Sequence, residues 1–192
     1  MAHAFDPAER HKLDTAERRA EMPPETTLVK AGLKPGDSVL DIGCGTGYFA
    51  LAAARMVGHK GSVCAVDISG VMLAELRSRT ASSGIFNVET SQTPHGKLVI
   101  PEGNYTLALM VNVLHEVDDK KAFLASVAAA LKPGVKLAVI EWKKADTPQG
   151  PPLKERISED EMQVLLKKAG FSEPVSQELS PSYTLYTCTR NE

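Results

Sequence analysis

The sequence predicts an open α/β sheet of seven strands, mostly parallel, with helices on both faces and an antiparallel hairpin at its carboxyl end. Three observations carry that prediction. Short β-rich runs recur at 38–42, 62–67, 106–111 and 135–141, with a weaker one at 87–92. Stretches whose apolar residues follow helical spacing lie between them. The last two runs, 174–179 and 183–189, have no helix-sized segment between them and so pair antiparallel. Strands joined through helices run parallel, and their crossovers are right-handed.

Each element has a local reason. The first strand ends at glycines, after which residues 49, 52, 53, 56 and 57 form one apolar helix face, stopped by Gly58 and Gly61. Ser69 is placed to cap a helix through about residue 82. The run 106–111 is apolar nearly throughout, as a strand covered on both faces must be. Asp118 is read as the cap of a helix with the stripe Leu124, Val127, Ala128 and Leu131, ended by Lys132-Pro133-Gly134. Pro148, Gly150, Pro151 and Pro152 mark a loop. Ser158 and Glu161 have capping-box spacing ahead of Met162, Leu165, Leu166 and Ala169, and Gly170 closes that helix. Residues 1–35 carry charged helical segments, one opening at Asp6 and one between Pro24 and Gly32. The expected organisation is thus an N-terminal helical lid or appendage, 1–35, and a main domain, 36–192.

Composition narrows the function. The chain has 192 residues, 22 Lys+Arg and 24 Asp+Glu, for a net charge of -2. Without a basic excess to release phosphate counterions, nucleic acid is not the expected partner. The longest apolar run, 48–54, is far too short for a membrane span, and the N-terminus has no apolar signal core. Three cysteines, Cys44, Cys64 and Cys188, without a Cys-x-x-Cys pair fit a reducing cytoplasm. The histidines lack ligand spacing, so no metal is expected. The expected partners are a small-molecule substrate and a second copy of the chain as a homodimer.

The sharpest signal is the loop after the first strand, Asp41-Ile42-Gly43-Cys44-Gly45-Thr46-Gly47-Tyr48. Alternate glycines let the backbone turn tightly and let a ligand approach the main chain. A dinucleotide site wants Gly-x-Gly-x-x-Gly, and here the third position is Tyr48. Asp41 would face a pyrophosphate unfavourably but suits an ammonium group. The pattern therefore favours an amino-acid-bearing nucleoside over a nicotinamide dinucleotide. Asp67 ends the second strand, 20 residues after Gly47, where a carboxylate accepts hydrogen bonds from ribose hydroxyls.

The loop and the acid together resemble those of class I S-adenosylmethionine-dependent methyltransferases. Leu131–Gly134, Ala169-Gly170-Phe171 and the final hairpin extend the resemblance. Segments 11–14, 17–19, 22–25 and 141–158 are similar to a subgroup that includes quinone-biosynthesis and small-molecule methyltransferases. The resemblance implies a Rossmann-like seven-stranded sandwich with strand order 3-2-1-4-5-7-6. It also implies methyl transfer from S-adenosylmethionine to a small acceptor by in-line displacement, leaving S-adenosylhomocysteine. The weighed alternative is a protein that binds either compound without catalysis, as a sensor or partner subunit. An arsenic-methylating relative is disfavoured, because the three cysteines show no thiol cluster.

By the same resemblance, the backbone around Gly43, Cys44, Gly45 and Gly47 cradles the methionyl group, Asp41 places its amino group and Asp67 holds the ribose. Ile68 and Met72 form an apolar slot for adenine, although Met72 serves equally as core. Family members often carry an acid after strand three. Here Ser91 or Gln92 takes that place, and the Gln92 carbonyl oxygen can accept the hydrogen bond. Asn112, with the backbone of Val113 and Leu114, follows strand four at a carboxyl end and lines the cofactor. His115 reads either as a general base toward the acceptor or as a residue that orders the loop. Glu116 reads as a network partner beside the substrate, and Trp142 as a pocket wall or as packing. Arg156 reads as a surface arginine ahead of a contact to an acidic acceptor, and Phe5, His11, Arg18 and Arg19 as parts of a lid or, for the charged runs, as solvated helix faces.

Overall fold

The structure is a computed structural model that describes residues 5–147 and 149–192; Pro148, noted above, and His3, one of the histidines weighed as metal ligands, lie outside the described residues. Seven strands form one sheet in the order β3-β2-β1-β4-β5-β7-β6. They are β1 (Ser38–Ile42), β2 (Ser62–Asp67), β3 (Val88–Gln92), β4 (Leu107–Val111), β5 (Lys136–Trp142), β6 (Val175–Glu178) and β7 (Tyr183–Thr189). The first five pair in parallel, and β7 runs antiparallel between β5 and β6. Both the count and the order expected from the sequence are borne out.

Alternation along each strand splits the core into two layers. Leu107, Leu109 and Val111 face one side, with Val39, Ala65, Ala138 and Ile140. There they meet α3 (Ala50–Val57), and Leu73 and Leu76 of α4 (Gly70–Ser82). Ala108 and Met110 face the other side, with Leu40, Ile42, Leu137 and Val139, beneath α5 (Lys120–Ala130) and α6 (Glu159–Lys168). The alanines at 50, 52, 53 and 54 leave α3 thin enough to be buried around most of its circumference. The edge strand β6 is exposed throughout and only four residues long, which limits its capacity to recruit another chain.

Caps follow the sequence with one shift. Ser69 accepts from the Met72 amide at 3.3 Å, and Ser158 from the Glu161 amide at 3.2 Å. For α5 the cap is Asp119, which accepts from the Ala122 amide at 3.0 Å, and not Asp118 as expected. A short 3-10 turn, Leu114–Glu116, ends at Val117 and delays the helix until Lys120. The residue three positions before a free amide is then Asp119.

The N-terminal segment begins with a 3-10 turn, Pro7–Leu13, followed by α1 (Ala16–Glu21) and α2 (Pro24–Lys30). Met22, Leu28, Ala31 and Leu33 share the buried layer that holds Val39 and α3. The Tyr48 hydroxyl donates to the Met22 carbonyl at 2.9 Å. This topology gathers the carboxyl ends of β1, β2, β4 and β5 at one edge, with the reversal of strand order between β1 and β4, the place where open α/β sheets bind ligands.

Candidate functional site

The loop after β1 has the strain its glycines foretell. Gly43, Gly45 and Gly47 have φ of 70°, 53° and 87°. A β-carbon at Gly43 would lie 2.3 Å from Val113 Cγ2, and one at Gly47 2.3 Å from Leu76 Cδ1. The Gly43 and Cys44 amides donate to the Val66 carbonyl at 2.7 and 3.1 Å, tying the loop to β2. Burial holds the Cys44 thiol well above its ordinary range, so it stays protonated and unreactive. Tyr48, at the third glycine's place in a dinucleotide site, is buried under the Arg18 guanidinium at 4.7 Å.

Asp67 clamps this loop. Its Oδ2 accepts from the Gly45 amide and its Oδ1 from the Ser69 amide, both at 2.8 Å. Burial raises its pKa against the pull of these bonds. Each carboxylate oxygen still has capacity for a further donor. Asp41 is buried more deeply, and its pKa is pushed up to about 7, first by burial and then by the Asp67 charge. Its Oδ2 has no hydrogen-bond partner among the described residues. The same holds for Oδ1 of Asn112, the only described residue other than glycine with positive φ, at 55°.

The remaining expected residues surround this centre. Gln92 donates to the Ile68 carbonyl at 3.0 Å, which leaves the Gln92 Oε1 to accept. Ser91 is half-buried, Ile68 exposed and Met72 buried near the start of α4. Val113 packs against Gly43, and the Leu114 amide donates to Glu141.

Glu141, which sequence reasoning treated only as part of a strand, organises the acceptor side. It is 2% exposed and accepts from the Leu114 amide at 2.8 Å and the His115 amide at 3.2 Å. Its Oε2 lies 2.7 Å from His115 Nδ1. Burial alone would lower the His115 pKa, but the hydrogen bond and charge of Glu141 outweigh it and the pKa is raised. With Nδ1 given to the carboxylate, the neutral imidazole presents a lone pair at Nε2. Glu116 Oε1 stands 3.8 Å from that nitrogen, while Oε2 accepts from the Phe5 amide at 3.0 Å. Burial pushes Glu116 up to about 7. A carboxylate at the end of an apolar strand, as in 135–141, was the signal available for Glu141.

The pair has a testable pH signature. A His115 pKa above its ordinary 6.5 stabilises the fold fully below that pH, and the contribution disappears as pH rises through the folded value. Glu141→Gln should therefore lose about 1–3 kcal/mol of stability near pH ~5.5 and clearly less near pH ~9. Urea unfolding at the two pH values measures this; equal losses would mean the pair carries no charge.

Arg156 is not on the surface, contrary to expectation. It is 6% exposed and donates to the carbonyls of Lys143, Ala145, Gln149 and Pro151 and to the Thr147 hydroxyl. A loop without a ladder of its own needs donors for inward-facing carbonyls, and one guanidinium supplies five. Trp142 lies between this loop and the sheet, 4.3 Å from the Tyr183 ring and 5.5 Å from the Arg156 guanidinium. A groove of about 370 Å³ opens at Arg156, lined in part by His115, Lys120, Lys144, Lys154 and Ile157. No cluster of metal-ligating side chains occurs among the described residues.

Residues 39–134, which contain the glycine loop, Asp67, β4 and α5, match the methyltransferase domain family. The chain is also 32% identical to the crystal structure of a SAM-dependent methyltransferase from Aquifex aeolicus, covering 97% of this chain and 99% of that one with a TM-score of 0.90. The chain belongs to the class I methyltransferase family. Within it, the chain is related to the quinone-biosynthesis enzymes. It is 36% identical over 119 residues to the ubiquinone/menaquinone biosynthesis C-methyltransferase UbiE of Teredinibacter turnerae, or 62% of this chain and 48% of that protein. The chain thus spans about half the length of the curated relatives it matches. The [4+2]-cyclase SpnF is similar at 20% identity with a TM-score of 0.73, covering 99% of this chain and 86% of that one, a likeness that concerns the fold alone. Among the described residues of this family member, no helix is long and apolar enough to cross a membrane.

Proposed function

We propose that the protein transfers a methyl group from S-adenosylmethionine to a small-molecule acceptor. The observation that carries this reading is the pair of buried acceptors without partners, Asp41 Oδ2 and Asn112 Oδ1, beside a glycine loop that a β-carbon would fill. A buried acceptor left unpaired costs about 1–3 kcal/mol, and an ammonium group removes that cost at both atoms. The cofactor fits: Asp41 and Asn112 meet its amino group, the loop at Gly43, Cys44, Gly45 and Gly47 lies along the methionyl chain, and Asp67 takes the ribose hydroxyls. Ile68 and Met72 flank the adenine, which Gln92 or Ser91 meets at its edge. Val113 and Leu114 carry the backbone past it.

S-adenosylmethionine, when bound, supplies a methyl carbon on a cationic sulfur, which departs with the carbon–sulfur electron pair as the acceptor's bond to carbon forms. The protein's part is to align the acceptor and to hold its proton. His115 Nε2 takes that proton, Glu141 fixes the imidazole through Nδ1, and Glu116 borders the acceptor. Trp142, stacked on Tyr183, backs the acceptor side through the loop that Arg156 holds. Of the N-terminal segment, the stretch ahead of Met22 acts as the lid, since Met22, Leu28, Ala31 and Leu33 are part of the main core. The unpaired cysteines support a cytoplasmic location, the absence of a basic excess speaks against nucleic acid as acceptor, and a homodimer is the assembly we expect.

The test is a calorimetric titration with S-adenosylhomocysteine, run on the wild type and Asp67→Ala with circular dichroism to check folding. Saturable binding is expected in the wild type, weakened about tenfold or more in the variant, the equivalent of one or two charge-assisted hydrogen bonds. No heat from folded wild type would overturn the cofactor reading. Binding without methyl transfer to any of a panel of phenol, enol, amine and thiol acceptors would favour a binding protein without catalysis.

A further inference from the structure

Two further buried polar atoms lack a hydrogen-bond partner among the described residues: Asp14 Oδ1, which is ion-paired with Arg19, and Nε of Arg18. The Arg18 atom belongs to the same neighbourhood as those of Asp41 and Asn112. The Arg18 guanidinium lies over Tyr48 of the glycine loop, its charge acts on Asp41 and on Tyr183, and Asn112 neighbours the same Tyr183. One unpaired cationic donor thus stands near two unpaired acceptors, one a carboxylate and one an amide. That set is complementary to an α-amino acid zwitterion, with its carboxylate toward the guanidinium and its ammonium toward Asp41 and Asn112. We propose that Arg18 binds the carboxylate of the cofactor's amino-acid tail, and that this contact fastens residues 5–22 over the site. The proposal rests on the cofactor reading above.

Arg18 is set for the task from both sides. Its Nη1 donates to the Leu13 carbonyl at 3.0 Å, and its guanidinium plane lies over the Tyr48 ring. The neighbouring arginine is committed elsewhere: Arg19 pairs with Asp14, and Asp14 pairs with Arg79, which donates to the Thr46 carbonyl of the glycine loop. The carboxyl end of the segment is fixed, with Met22 fully buried, its carbonyl accepting from Tyr48, and Glu21 accepting from Ser180, but the moorings ahead of Arg18 are slighter. They include the Arg10–Glu75 pair, largely in water, the Phe5 amide on Glu116, and the contact of Leu13 with Gly45. Surface pairs of this kind hold little. A carboxylate on Arg18 would be the strongest link between the segment and the site, because a charged pair shielded from water is far stronger than one in it. The segment would then close on a ligand with an amino-acid tail and stay loose on the bare nucleoside thioether.

The experiment compares S-adenosylhomocysteine with 5′-methylthioadenosine, which lacks the tail, on the full chain. Calorimetry gives both affinities for wild type and Arg18→Ala, and hydrogen exchange follows residues 5–22 with each ligand. In the variant, S-adenosylhomocysteine should bind about tenfold or more weakly, while methylthioadenosine changes by less than about twofold. In the wild type, S-adenosylhomocysteine should protect 5–22 and methylthioadenosine should not; the variant should lose that protection. If Arg18→Ala does not fold, Arg18→Gln, which keeps a polar donor but not the charge, is read the same way. Undiminished S-adenosylhomocysteine binding, or an equal loss for both ligands in a folded variant, would overturn the Arg18 role and leave the cofactor reading standing. A wild type that binds neither ligand would overturn both.

Discussion

Asp41→Asn is expected to make the ligand-free protein more stable at about pH 8 while removing most of its affinity for S-adenosylhomocysteine. Asp41 is 3% exposed, and its pKa is lifted from 3.8 to about 7 by burial and then by the Asp67 charge, with Arg18 pulling the other way. A carboxyl whose pKa rises on folding stabilises the fold below its ordinary value, and the contribution is lost as pH rises through the folded one. Between those values the wild type must either bury a charge or hold a proton that the unfolded chain has released. Asparagine has the same shape and no such titration. The stability gap between variant and wild type should open from about pH 4 and be complete near pH ~8, where it approaches the order of 4 kcal/mol. For a chain of this size that is a rise of about 5 °C or more in melting temperature. The ligand reverses the order, because Asp41 in the wild type meets the ammonium group and binding adds stability by mass action. Thermal melts across pH, with and without S-adenosylhomocysteine, measure both effects. A ligand-free variant less stable than wild type at about pH 8 would refute the assignment.

The second large effect concerns the loop backbone. Gly47→Ala should cost about 2–5 kcal/mol, because left-handed backbone strain adds to overpacking. The new β-carbon would lie 2.3 Å from Cδ1 of Leu76, a fully buried side chain with no space to retreat into. Gly43→Ala meets Val113 Cγ2 at the same 2.3 Å, but Val113 is only partly buried and can turn away, so a smaller loss is expected. Gly134→Ala has a similar φ, 84°, and nothing within 4 Å, so only the strain of about 1–2 kcal/mol remains. Urea unfolding of the three variants should rank them in that order. Equal losses at 47 and 134 would mean that the loop's glycines answer to backbone conformation alone and not to a packed cradle.

These residues also divide what can be read along the chain from what cannot. The glycine spacing, the acid at the end of β2 and the helix caps follow local rules, each spanning a few residues, and are legible directly. Where two local choices were equivalent, as with Asp118 and Asp119, the decision came from a 3-10 turn that no periodicity announces. Arg156 was misread because its partners are backbone carbonyls, which no residue type reveals. Glu141 was overlooked because its partners, a histidine ring and two amides, lie 26 and 27 residues earlier in the chain.

The sequence alone determined the seven strands, the helices between them, the turn after β1 and the chemistry of the groups at its rim, since period, cap and glycine act within one turn or one strand. Strand order came from likeness to a family and not from spacing. Only the tertiary structure decided which polar atoms were satisfied. Pairing of His115 with Glu141, and the lack of a partner at Arg18 Nε, Asp41 Oδ2 and Asn112 Oδ1, depend on groups from separate elements meeting in a volume closed to water. A buried polar atom's energy depends on that meeting, and sequence position does not encode it.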